Sequence, residues 1–456
     1  MGPTHRKSKK TIARSALAII LAGAVAAGLF VWANHRRARA GKLIDQKLAA
    51  LRAAGEPIDA EALARMLPTP PPELDAALLL NEALAFAVAN PAPGNTPIVT
   101  GGSELDHVHA IDAEAMTRLQ RHYESTTNLV QIMPVLPLGA RFGENWSNGV
   151  WIAPVPISFI TVRTTIQMLA TRTLYAAEIG DAEGATAMLE RGFRFTAAIP
   201  TDSTLVSHMI REACLGLVCR MTERTLNKVA LTDSQLLRVA QSMPPASTNH
   251  LLGAARVEHC GAIGVFREVR TGKRFDDLFP SGARVTWWER VRRKVWPIRN
   301  EYNDHDFLAY LDFVPQFVAS TRMPAPRAIN EGAMLSEQFA KNATCRVAES
   351  CHPNWRKAIE THYRIETQLE VTRAALSIER FRIAHGRLPQ SLDELVPAFV
   401  PSKPADPFDT NALRFKSKSP GYVIYSIGQD GIDQGGITLT NQYAQTNYDI
   451  TVTVER

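Results

Sequence analysis

YAAEIGDAEGATAMLERGF, residues 175–193, is the stretch on which the fold turns. Its alanine run stops at Gly180, a natural C-terminal cap because glycine enters the left-handed region without a Cβ penalty. Asp181 follows as an N-cap, and Glu183 lies in the next first turn, where a carboxylate suits the helix dipole. The stretch therefore reads as two antiparallel helices joined by a tight turn. Helical periodicity extends on both sides, from about 158 to 243, with Pro200-Thr201-Asp202-Ser203 restarting it ahead of LVSHMIREACLGLVCRMTERTL.

The same pattern recurs outward. Residues 42–67 are helical, with a stop at Gly55-Glu56-Pro57 and a new start at Asp59, and 68–72 is a proline-rich breaker. Further helices fall at about 73–88, 112–133, 306–320 and 325–343, and Trp355 to Ala384 reads as a long amphipathic helix. Residues 134–156, rich in Pro, Gly and aromatics, form a long loop of the kind that carries function or covers a core. The fold class is mainly α.

Ser15 to Ala33, SALAIILAGAVAAGLFVWA, holds nineteen residues without a charge. At about 1.5 Å per residue it nearly matches a hydrocarbon layer of about 30 Å, and Trp32 sits where an interfacial aromatic belongs. The expectation is an uncleaved transmembrane helix over 15–33, with residues 1–14 as a basic cytoplasmic tail and the bulk outside the cytoplasm, at the inner membrane. The net charge of +6 agrees: residues 1–42 carry nine Lys or Arg and no Asp or Glu, so the rest is net acidic. Basicity confined beside a membrane segment argues against a nucleic-acid partner. Five cysteines are too few for a disulfide scaffold; Cys345 and Cys351 flank a segment short enough to bridge, and Cys214 and Cys219 suit buried positions.

Catalytic signatures are sparse. His107 and His109, with Asp106 and Asp112 nearby, offer zinc-type ligands, though a solvated loop before a helix accounts for them as well. Glu258-His259-Cys260 puts a thiol beside an imidazole, but neighbouring helical residues point apart. His305 lies between Asp304 and Asp306 at a helix start, and Trp287, Trp288 and Trp296 are interleaved with arginines in a stretch that fits core packing or a membrane surface. There is no nucleophile elbow, Walker loop, dinucleotide fingerprint or HExxH.

Two resemblances are present. The Gly180-Asp181 turn resembles that of a tetratricopeptide-type repeat, but a single copy cannot build such an array, so an ordinary helix pair is the reading. Beyond Pro353, a long helix leads into Gly386-Arg387-Leu388-Pro389, then Leu392 to Leu395, Asp406-Pro407-Phe408, and Ser426-Ile427-Gly428-Gln429-Asp430-Gly431 followed by Gly435-Gly436. This order resembles the globular domain of type II secretion major pseudopilins. The resemblance implies a small α+β module and calcium in the final loop, with Asp430 and Asp433 as ligands. The acidic residues that the family places after the double glycine are Ile437-Thr438-Leu439-Thr440 here, with Asp449 further on.

The organisation expected is a helical extracytoplasmic domain over 40–345 and a C-terminal pseudopilin-like module over 353–456. The function expected is that of a membrane-anchored envelope structural or interaction protein with a protein partner, possessing no identified catalytic residue. The alternative is an extracytoplasmic hydrolase with its site near residues 101–156.

Overall fold

A computed structural model describes residues 4–67, 69–94, 111–143, 158–201, 203–245, 249–278, 302–437 and 449–456. Its main helices are α1 (Thr4–Ala53), α2 (Asn81–Ala89), α3 (Ala113–Ser125), α4 (Phe159–Glu178), α5 (Ala182–Ala198), α6 (Leu205–Lys228), α7 (Asp233–Ser242), α8 (Asn249–Arg270), α9 (Asp304–Ser320), α10 (Ala325–Asn342) and α11 (Trp355–His385). Strands β1 (Arg414–Ser417), β2 (Tyr422–Ser426) and β3 (Ile450–Val454) form an antiparallel sheet in the order β1-β2-β3.

The hairpin at 175–193 folds as its residues dictate. Gly180 has φ +78°, the Asp181 amide donates back to the Ala176 carbonyl at 2.8 Å, and the Asp181 carboxylate accepts from Gly184 N at 2.8 Å. Helix α4 packs on α5, and both pack on α6.

Among the described residues there are two large hydrophobic cores and a small third one of Leu63, Val257 and Cys260. The first gathers α2 to α7 with the later part of α11 and the inner face of β2 and β3; the second gathers the end of α1 (Ile44, Leu51), α8, α9, α10 and the beginning of α11. Helix α11 runs through both, with Trp355, Ile359 and Tyr363 in the second core and Ile365, Leu369 and Leu376 in the first. It is not the one-sided amphipathic helix that its sequence implies, because burial continues around its circumference. Its hydroxyls make that possible: Thr367 donates to Tyr363 O at 2.7 Å, Thr372 to Gln368 O at 2.7 Å and Ser377 to Arg373 O at 3.0 Å. A hydroxyl bonded to its own helix presents an almost apolar surface to the neighbours.

The transmembrane helix expected over 15–33 is corrected. Among the described residues no helix is long and apolar enough to cross a membrane. The charge-free run is not a separate element: it lies within the 50-residue α1, which continues through Arg36, Arg37 and Arg39 into the second core. Arg36 folds back over the Trp32 ring at 5.4 Å. The membrane and signal-anchor reading of this segment falls. All five cysteines are free thiols, so Cys345 and Cys351 form no bridge, and Cys214 and Cys219 are both buried.

Strand β3 is a sheet edge, and its outward amides and carbonyls need partners. Helix α6 supplies them. Thr453 N donates to the Glu223 carboxylate at 2.7 Å, the Asn227 amide donates to Thr453 O at 2.7 Å, and Glu455 N donates to Asn227 Oδ1 at 2.8 Å. Glu223 and Asn227, one turn apart, thus act as a further strand. Asn227→Ala leaves one donor and one acceptor of that edge without partners, and is expected to cost about 1–3 kcal/mol in chemical denaturation; an unchanged midpoint would contradict the docking.

Candidate functional site

Where the long loop after Met133 meets the ends of α5 and α7, the surface opens into a cleft of about 280 Å³. That is near the lower end of the range of about 300–1,000 Å³ for small-molecule sites, enough for a compact head group. The loop wall is fixed by backbone bonds: Arg141 N donates to Leu74 O, Ala76 N to Arg141 O and Phe142 N to Ala198 O, all at 2.9–3.0 Å. Gly139, at φ +84°, makes the turn, and Phe142 anchors it edge-on against Phe195. The opposite wall, Ser242 to Pro245, is held from α11 by Arg373, which donates to Pro244 O at 2.8 Å.

Three arginines, Arg141, Arg194 and Arg211, are among the residues that line the cleft, and none of the described lining residues is Asp, Glu, His or Cys. Arg194 donates to Gln241 O at 3.1 Å, which aims its side chain along the wall, and its Nε has no hydrogen-bond partner. Arg211 is only 1% exposed, donates through Nη1 to Glu212 at 3.2 Å, and its Nε also lacks a partner. A buried arginine with an idle N–H, among the lining residues of a cleft that holds two further arginines, keeps a donor in reserve for an anion.

Beside Arg211 is a buried polar cluster. His208 and Glu212, one turn apart on α6, face His362 on α11. His208 Nε2 and His362 Nδ1 each lie 3.6 Å from Glu212 Oε1, and the two rings sit 5.3 Å apart. All three residues are at most 1% exposed. The cluster occupies the seam between the cores: Leu205 and Tyr363 belong to the second, Cys214 and Ile365 to the first.

Of the residues singled out from sequence, those among the described residues are not in the cleft lining or the cluster. His107, His109, Asp106, Trp287, Trp288 and Trp296 are outside the described residues. Asp112 is the N-cap of α3, accepting from Ala115 N at 2.7 Å. His305 lies in the first turn of α9 beside Asp306, whose carboxylate accepts from Thr344 N and Cys345 N, both at 2.7 Å. Glu258 accepts from Leu205 N at 2.7 Å, and burial pushes the Cys260 thiol up to about 12, so neither forms a nucleophile pair with His259.

Asp430 and Asp433 lie in the turn after β2. Asp430 accepts from Ile432 N at 3.1 Å and Gln434 Nε2 at 2.8 Å; Asp433 accepts from Gly435 N at 2.8 Å and the Tyr425 hydroxyl at 3.1 Å. Desolvation raises the Asp433 pKa, but those donors and the charges of Lys416 and Arg414 outweigh it and lower the value. Asp449 accepts from Gly436 N at 2.7 Å. The double glycine has a packing role as well: a Cβ on Gly436, at φ +80°, would stand 3.0 Å from the Tyr425 ring.

Sequence reading missed the arginines and the histidine–glutamate cluster. The only signal was a repeated spacing, His208-Met-Ile-Arg-Glu212 and His362-Tyr-Arg-Ile-Glu366, whose meaning depends on α6 pairing with α11. No protein-family model, curated protein or solved structure matches the chain.

His259 is not a catalytic base. Its Nδ1 lies 2.8 Å from the Tyr310 hydroxyl, among Phe313, Phe317 and Trp355, and burial pushes its pKa down to about 3. A histidine held neutral in the folded state contributes stability that is complete above its unfolded pKa of about 6.5 and is lost as the pH falls from there toward 3. Denaturation curves between pH 7 and 4 should therefore show this group removing up to about 1.4 kcal/mol per pH unit. His259→Phe should flatten the slope, and parallel curves for the two proteins would contradict the assignment.

Proposed function

We propose that the protein is a binding protein, a helical scaffold whose arginine-lined cleft takes the phosphate or carboxylate group of a small molecule or partner. The observation that carries this is Arg211, an almost wholly buried arginine among the residues that line the cleft, whose Nε has no hydrogen-bond partner. A charge is expensive to bury unless it is paired, and Glu212 meets only part of its donor capacity. An anion entering the cleft completes it, with Arg194 and Arg141 alongside. The described lining offers no general base or thiol, which favours binding over hydrolysis as the work of this cleft.

The pseudopilin-like reading of 353–456 is part of the same proposal. It is supported by the motif order alone and fits an interaction role better than a catalytic one. Calcium at Asp430 and Asp433 likewise derives from that resemblance.

Calorimetric titration of the full chain with inorganic phosphate and, separately, with citrate tests the cleft and tells the two anion chemistries apart. Saturable binding of one of them is expected, weakening with added salt and at least about tenfold in Arg194→Gln and Arg211→Gln. Absence of saturable binding of either anion, or affinities unchanged in both variants, would overturn the proposal.

A further inference from the structure

The buried cluster at the seam has a chemistry of its own. We infer that His208, Glu212 and His362 form a binding site for a divalent transition-metal ion, of which Zn²⁺ is the type. Each contributes one ligand atom, and the three atoms all lie within 4.8 Å of one another.

The geometry fits before any movement. A four-coordinate zinc with nitrogen and oxygen ligands at about 2.0–2.1 Å has ligand-to-ligand edges of about 3.3–3.4 Å. The two edges from Glu212 Oε1 to the histidine nitrogens are both 3.6 Å. A point equidistant from the three atoms then lies roughly 2–2.4 Å from each, so a small contraction closes the site. Two imidazoles with one carboxylate are a ligand set that suits zinc and its neighbours in the first transition row and does not suit calcium, which prefers an all-oxygen shell.

The placement is rigid. His208 and Glu212 are fixed on one face of α6 by their spacing of one turn, and His362 comes from α11, the helix against which α6 packs. Glu212 Oε2 has no hydrogen-bond partner, although the residue is fully buried. The Arg211 guanidinium is the competing cation at Oε1, 3.2 Å away, and the Arg364 charge also faces the carboxylate. Oε1, the ligand atom, is therefore shared between a metal and the Arg211 guanidinium, while Oε2 keeps a lone acceptor to which that guanidinium can shift. Glu366, one turn beyond His362, stands outside the set of three and leaves the fourth coordination position to water or to a small shift of that side chain.

The test uses the full chain, stripped with chelator and titrated with Co²⁺ as a spectroscopic stand-in and with Zn²⁺. The site predicts one equivalent of either metal, visible d–d absorption of the four-coordinate type with Co²⁺, and a melting temperature raised by Zn²⁺ and lowered again by chelator. His208→Gln, His362→Gln and the isosteric Glu212→Gln should each weaken uptake at least about tenfold, while Asp433→Asn leaves it unchanged. Should a variant fail to fold, the stoichiometry and spectrum of the unaltered chain still decide. No uptake, a six-coordinate spectrum without imidazole ligation, or uptake that survives in both folded histidine variants would overturn the inference.

Discussion

The interior passage of α11 is the constraint on which the rest of this structure depends. A 31-residue helix that is buried on most sides must satisfy or neutralise every polar group that it takes inside. Its threonines and Ser377 do so by bonding to their own backbone, and Glu379 is neutralised at Oε2 by Arg382 on the same helix and by Arg456, at 2.6 and 2.7 Å. One of those two partners thus comes from the far end of the chain. The C-terminal strands also close over α11, with the Tyr422 hydroxyl donating to Ala375 O at 3.2 Å. Residues 353–456 share both hydrophobic cores with the helices that precede them.

The seam between the two cores is where this economy of polar groups changes. Helices α6 and α11 each cross from one core to the other, and at the crossing they place two imidazoles, a carboxylate and a guanidinium together. Buried polar clusters of this kind are weak contributors to stability compared with well-packed apolar side chains, so their presence points to recognition or binding. Arg211 joins the two features: its guanidinium meets Glu212 in the cluster, and the residue is among those that line the cleft.

Local structure was legible in the sequence; the site was not. Gly180 and Asp181 specify their turn through backbone conformation and a single cap, and the helices read at 306–320 and 325–343 stand at Asp304–Ser320 and Ala325–Asn342. These depend on neighbours within a few residues. The run from Ser15 to Ala33 was read from its lack of charge, its length, Trp32 and the basic residues beside it, without regard to the helix continuing past it. The amphipathic reading of α11 failed for a related reason, since Thr367 and Thr372 count as polar in a pattern but not once bonded to their own helix. The cleft needs Arg141, Arg194 and Arg211 from three separate elements, and the cluster needs residues some 150 positions apart. The loop after Met133, read as one that carries function or covers a core, does line the cleft, while the histidines read as candidate ligands, His107 and His109, lie outside the described residues.

If α11 ties both cores into one unit, they must open together. Native-state hydrogen exchange, followed by mass spectrometry on peptides from α4 to α7, from α8 to α10 and from α11, reads this directly. The account predicts that α11 is the slowest to exchange and that core amides of both sets lose protection at the same denaturant concentration as α11. A core that opened at a clearly lower concentration, while α11 and the other core stayed protected, would contradict it.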